Sequence, residues 1–407
     1  MKSALADLYH AHVVERCRTT ELALAETGFD RLLLHSGTPH TYFADDQDAP
    51  FHPTPHFTHW APVEGPGHVV EFRPGKKPRL LRFVPRDFWY EPPHPAPAFV
   101  AAEFDVEDSA TPEGVSAAVG ANGARTAFVG GSVDVAAAFG IPAEAINPKG
   151  LVARLDWERS YKSEYEVETL AEATGPAARG FRAAEAAFRD GATEMEAHHA
   201  YLAAAAVMEE QLPYPTIIGF DERSATLHYH GKRGTWAAPG RVMLVDAGVA
   251  VRGYGSDITR TYAGDGCDPL FVNLITGMET LQKELAAAPR PGMKYLDLHV
   301  RAHHLIGDLL QRAGVLKVPA GVAVEKGLTR PFFPHGLGHF LGIQVHDVAG
   351  RFGDREGTPV PPPAEYPTLR TTRTVEERMV FTIEPGLYFI PMLLEGHRTG
   401  PNSADFD

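Results

Sequence analysis

The sequence is poor in cysteine, in positive charge and in long apolar runs. Cys17 and Cys267 are its only cysteines among 407 residues. Two thiols so far apart form neither a disulfide framework nor a CxxC metal motif, which fits a reducing compartment. The net charge is −14. An acidic surface argues against nucleic acid or an anionic membrane as a general partner. No run of about 18 apolar residues occurs, so no membrane span is expected. Charges interrupt every apolar stretch of residues 1–26, and the apolar centre of a secretory signal is missing. These absences lead to the expectation of a cytoplasmic protein without nucleic-acid or membrane partners.

What is present is ordinary for a soluble protein, with 44% hydrophobic and 22% charged residues. The length suggests two domains by the rough prior of ~150 residues per domain. Short apolar runs at Arg31–His35, His68–Phe72, Leu80–Val84 and Thr126–Val129 read as strands, after an opening amphipathic helix. Gly130 and Gly131 open no nucleotide-binding pattern. The fold class is α/β (α+β), with a boundary near residue 157. Residues 1–157 form an N-terminal α/β domain and residues 158–407 a second one. Capping-box spacings at Ser163/Glu166 and Thr193/Glu196 open Ala- and Glu-rich helices that break at Gly175–Pro176 and at Gly191. Further helices are expected near Val272–Ala287 and Leu296–Ala313. Thr358–Pro367, with five prolines, reads as a stiff exposed loop.

Chemistry concentrates after Pro213. The apolar run Val242–Val245 ends at Asp246, and Gly253–Gly255 turns the chain into the alternating run Asp257–Tyr262. A hairpin there lets Asp246 and Asp257 face the same side. Two such carboxylates repel unless they share a proton or a cation. A metal is one solution, and a structural ion pair with Arg252 or Arg260 is another. Next, His335, His339 and His346 fall within twelve residues, interleaved with glycine. That pattern is foreign to core packing and suits a metal or acid/base site. Finally, Glu384 ends the apolar run Met379–Ile383 just before Pro385–Gly386. A carboxylate there is costly unless paired or ligated. Thr382 shares its face in an extended strand. Two Asp, one His and one Glu make an oxygen-rich set for Mn²⁺, Co²⁺ or Zn²⁺, and suit two ions about 3.5–4 Å apart with a bridging hydroxide.

The order of Asp246, Asp257, HGLGH at 335–339, VHD at 345–347 and IEPG at 383–386 resembles the pita-bread metallopeptidases. Within that family the chain looks closest to the bacterial Xaa-Pro dipeptidases, the prolidase branch. The likeness extends to INPKG at 146–150, YKSEYE at 161–166, LHY at 227–229 and YPTLRTTR at 366–373. It implies a creatinase/prolidase-like N-terminal domain and a pita-bread catalytic domain. It also implies hydrolysis of Xaa-Pro dipeptides at a site holding two divalent ions, Mn first. Asp246, Asp257, His339 and Glu384 would be metal ligands, with Glu384 also handling the proton of the nucleophile. His228 and His346 would hold substrate and stabilise the oxyanion. Arg370 would grip the dipeptide's free carboxylate, since an arginine fork matches a carboxylate. Tyr214 would line the pocket and His335 would support it. A homodimer is implied, in which Asp45, Asp46 and the stretch Phe51–Trp60 form a lid over the partner's site.

One family feature is missing. A late strand reading G-[IV]-R-I-E-[DE] would add a fifth carboxylate ligand and a second arginine, and this sequence lacks it. Glu395 has no such context. The expectation is that the family pattern continues beyond Asp407. Two other readings stay open: an aminopeptidase P-like enzyme acting on longer peptides, and a metal-deficient binding module on the same fold. A side activity on organophosphate triesters is a further family expectation.

Overall fold

The computed structural model describes residues 2–120, 125–235 and 240–407. The chain divides into two compact units: Met1–Thr169 with Asp354–Thr358, and Leu170–Gly353 with Pro359–Asp407.

The first unit is built on a mixed sheet of five strands. They are β1 (Arg31–His35), β2 (Val69–Phe72), β3 (Arg79–Phe83), β4 (Asp105–Ser109) and β5 (Thr126–Val129), in the order β4-β3-β2-β1-β5. β1, β2 and β5 are buried along their whole length, which is why they read as continuous apolar runs. β4 gave no such signal. Its sequence DVEDS is mostly exposed, and it pairs in parallel with β3 at the sheet edge. Charge on an edge strand discourages pairing with another chain. The opening helix spans Lys2–Thr27.

The second unit holds a three-stranded antiparallel sheet: β6 (Ile217–Phe220), β7 (Val242–Ala247) and β10 (Ile258–Ala263), in the order β10-β7-β6. β8 (Ala250–Val251) and β9 (Tyr254–Gly255) form a separate two-stranded hairpin. Its turn residues are Arg252 and Gly253, both at positive φ (49° and 85°), one residue earlier than the glycine pattern suggested. The long helix Glu164–Arg189 runs straight through Gly175–Pro176 instead of breaking there. Glycine before the proline carries no Cβ to clash with the proline ring. Burial of Ala177, Phe181, Ala184 and Phe188 against β6 and β7 then holds the helix together. Both expected capping boxes are present. The helices Pro269–Ala286 and Tyr295–Arg312 fall where expected.

Buried histidines make the stability of both units acid-sensitive. Burial pushes His35 and His68 in the first unit, and His299 in the second, down to about 4. His303 falls to about 3, again through burial. A depressed histidine pKa means the folded chain binds fewer protons than the unfolded chain, whose imidazoles titrate near 6.5. Stability is therefore complete above that value and is lost as pH falls towards the folded pKa. We expect the melting temperature to drop by about 5 °C or more between pH 7 and pH 5. A flat profile over that range would mean that these side chains are not held neutral.

Candidate active site

Two strips of chain expose their polar residues to the same place because their apolar residues face a core. On β7, Met243, Val245 and Ala247 are buried with the helices, while Asp246 lies on the other face. On residues 381–389, Phe381, Ile383, Leu387 and Phe389 pack towards a second core, so Thr382 and Glu384 point away from it. This second strip is not a regular strand, contrary to the sequence pattern. It is extended chain bridged to the HGLGH segment, with Thr382 N donating to the His339 carbonyl (2.9 Å) and Glu384 N to that of Leu337 (2.9 Å). Pro385 has no N–H to continue a ladder, and glycines weaken the facing segment as a strand.

The register of β7 and β10 places Thr259, not Asp257, directly opposite Asp246. Asp257 lies two residues before Thr259, so the two aspartates share a face diagonally. Tyr214 connects them. Its hydroxyl lies 2.8 Å from Asp246 Oδ1 and 3.0 Å from Asp257 Oδ1. One hydroxyl proton cannot fully satisfy two anionic oxygens, so the pair calls for a further proton or a cation. Neither arginine considered from sequence answers that call here. Arg252 pairs with Glu172, and Arg260 donates to the Thr259 carbonyl.

His339 stands between two carboxylates. Its Nε2 is 3.2 Å from Asp257 Oδ2 and 3.3 Å from Glu384 Oε1, while its Nδ1 lies 3.0 Å from the Phe340 carbonyl oxygen. The backbone contact makes Nδ1 the donor and aims Nε2 at the acids. Burial works against a charge on His339, but Asp257 and Glu384 raise its pKa overall. Glu384 is pushed up to about 7, by burial first, then by the aspartates. Burial and the charge of Asp257 lift Asp246 to about 6. Thr382 Oγ1 lies 3.0 Å from His339 N and 3.2 Å from Glu384 Oε1, so one hydroxyl ties the two facing segments.

Gly338 lets those segments approach. A Cβ there would overlap the Thr382 carbonyl oxygen and the Tyr295 hydroxyl. Gly338→Ala is expected to cost about 1–3 kcal/mol of stability by overpacking. It would also move His339 against Glu384. Wild-type melting in this variant would refute the close approach.

Around the acids lie the other residues singled out from sequence. The rings of His339 and His346 meet edge to face at 4.3 Å. His346 is held down to about 4, first by burial, then by the charges of His339 and Arg370, with a smaller contribution from His228. Arg370 and His228 are exposed. His335 lies 2.8 Å from the Gly336 carbonyl oxygen through Nδ1, and its ring packs on Phe333 and Tyr388. Its buried Nε2 has no hydrogen-bond partner among the described residues. Asp45 and Asp46 sit on an exposed turn of the first unit, where Asp45 Oδ1 accepts from Asp46 N at 2.7 Å.

Sequence reading missed a second cluster, His12, His59 and Glu166 in the first unit, whose ligand atoms lie within 4.8 Å of one another. No local motif links residues so far apart in sequence. Glu166 caps a helix through Ser163 N (2.9 Å), His12 lies 2.7 Å from the His59 carbonyl oxygen and 2.8 Å from Ser163 Oγ, and Arg16 lies 3.5 Å from His59 Nε2. A guanidinium that close opposes a bound cation, and these bonds already use the donors, so the cluster is a buried polar network.

A face of three acids and one imidazole, charged against itself until a cation enters, is the donor set of a metal-dependent hydrolase. Residues 168–403 match metallopeptidase family M24, and residues 7–157 match the Xaa-Pro dipeptidase N-terminal domain. The chain belongs to metallopeptidase family M24. Within it, the chain groups with the bacterial Xaa-Pro dipeptidases. The Xaa-Pro dipeptidase of Pseudoalteromonas atlantica is 40% identical over 394 residues, 96% of this chain and 88% of the relative. That of Stenotrophomonas maltophilia strain K279a is 41% identical over 388 residues, 95% of this chain and 86% of the relative. The fold is that of aminopeptidase P. The Escherichia coli protein with the inhibitor Pro-Leu superposes with a TM-score of 0.72 at 21% identity, covering 96% of this chain and 89% of that one. Pseudomonas aeruginosa aminopeptidase PepP gives 0.72 at 20% identity, covering 93% and 87%. The family's divalent metals fit the oxygen-rich face just described.

Proposed function

We propose that this chain hydrolyses dipeptides ending in proline, at a dinuclear site whose ligands include Asp246, Asp257, His339 and Glu384. The observation that carries the reading is the convergence on His339 Nε2 of Asp257 and Glu384, with Tyr214 shared between Asp257 and Asp246. Mn²⁺ is the favoured ion for so many carboxylate oxygens, with Co²⁺ or Zn²⁺ as substitutes. Ions bound there would polarise the scissile carbonyl and lower the pKa of a water.

The chain's own groups supply the rest. Glu384 accepts the proton of the attacking water and passes it to the proline nitrogen as the amide bond breaks. That nitrogen carries no proton of its own before cleavage, because a proline amide is tertiary. His346, kept neutral by burial, donates a hydrogen bond to the oxygen that gains charge. His228 holds the substrate beside it, with Tyr214 lining the pocket and His335 supporting its wall. Arg370 clamps the free carboxylate and so checks that proline is the last residue. The working form is a cytoplasmic homodimer in which Asp45 and Asp46 lie over the partner's site. Organophosphate triesters are secondary substrates, since the same ions would polarise a phosphoryl oxygen.

Comparing Ala-Pro with Ala-Pro-Ala under Mn²⁺ tests the substrate class. Proline release from the dipeptide should exceed cleavage of the tripeptide by about 100-fold or more, and Arg370→Ala should raise KM for the dipeptide by about 10-fold or more. Equal cleavage of both peptides would overturn the role of Arg370 and favour an aminopeptidase P-like activity.

A further inference from the structure

His228 has little regular structure to hold it. After β6 ends at Phe220, the chain makes one 3-10 turn over Asp221–Ala225 and then runs irregularly through His228. A substrate-holding imidazole on such a segment needs an anchor, since positioning to a fraction of an ångström decides catalytic rates.

Glu194 provides four attachment points on that segment. It is fully buried and opens the helix Glu194–Ala205. Its Oε1 accepts from Phe220 N at 2.8 Å and from Arg223 Nε at 2.6 Å. Its Oε2 accepts from the Tyr229 hydroxyl at 2.8 Å and from Arg233 N at 2.7 Å. Four donors fill the four acceptor sites of a carboxylate. They grip the segment where it leaves β6, in its 3-10 turn, at the residue next to His228, and beyond it. At the start of the turn Asp221 Oδ1 accepts from Arg241 N (2.9 Å) and Val242 N (3.0 Å), which fastens the turn to the first residue of β7. Burial opposes the charge of Glu194, yet its donors hold the carboxyl below the usual range.

We propose that Glu194 is a positioning residue for the reaction, acting through Tyr229 and its neighbours to set His228 against the substrate. The inference rests on the role given to His228 above.

The test is a double-mutant cycle on the metal-loaded protein with Ala-Pro. Glu194→Gln keeps the size of the side chain but offers one acceptor oxygen, and sets an amide NH₂ against N–H donors. Tyr229→Phe removes a single bond, leaves the carboxylate in place, and serves should Glu194→Gln fail to fold. In the wild-type background we expect kcat/KM to fall about 10–100-fold for Glu194→Gln and about 3-fold or more for Tyr229→Phe, with bound metal unchanged. In a His228→Ala background each should cost less than about 2-fold. Equal losses in both backgrounds, losses that track bound metal, or wild-type kinetics in the variants would overturn the inference. If His228→Ala alone leaves activity intact, the substrate role of His228 is wrong and the inference falls with it. An impaired His228→Ala on which Glu194→Gln is additive overturns the inference alone.

Discussion

Glu384→Gln should lower kcat for Ala-Pro by about 10³-fold or more, while the protein stays folded. The size follows from two losses at one position. The amide cannot accept a proton from water, and general-base catalysis alone contributes about 10²–10⁴-fold. The amide is also a poorer metal ligand than a carboxylate. Folding should survive, because Glu384 is part-buried and makes no contact that a glutamine of the same shape could not approximate. Removing one of three mutually repelling acids should even raise the stability of the metal-free protein. Rate and metal content, measured together, separate the two losses. A variant that binds metal normally but turns over slowly isolates the proton transfer. A variant with unchanged kcat would remove Glu384 from the mechanism.

Asp257→Asn should abolish both metal binding and activity. Asp257 both contacts His339 and shares Tyr214 with Asp246, which places it well to join two ions. Removing its charge leaves the remaining donors too weak to hold the pair. Chelation of the natural protein should have the same effect on activity. It should also lower the melting temperature, because an ion that binds only the folded chain stabilises it by about 2.7 kcal/mol at a hundred times its dissociation constant. In Asp257→Asn that thermal shift should vanish. A shift of wild-type size would place the metal elsewhere.

Much of this site could be read from sequence because its residues sit in short local contexts. Asp246 ends an apolar run, Glu384 ends another, and the histidines stand among glycines. The fold was legible wherever burial is continuous, as in β1, β2 and β5. It failed where tertiary packing overrides local rules. Pro176 sits inside a helix that core contacts hold together. β4 is acidic and exposed, and only its neighbour β3 makes it a strand. The run ending at Glu384 has the alternation of a strand but only bridge pairing. Long-range partners were invisible for the same reason. Nothing in the sequence marks Glu194 as the acceptor for Tyr229 and Arg233, more than thirty residues away.

The central claim is that proline release depends on ions held by these four residues. The direct measurement is proline released from Ala-Pro by the full-length natural protein, stripped by chelation, as Mn²⁺ is returned and bound metal is counted in the same samples. Activity should rise from the chelated baseline in step with bound metal, saturate near two ions per chain, and stay at baseline in Asp257→Asn. Proline release that persists after chelation, or a folded protein that binds its metal and releases none, would contradict the account.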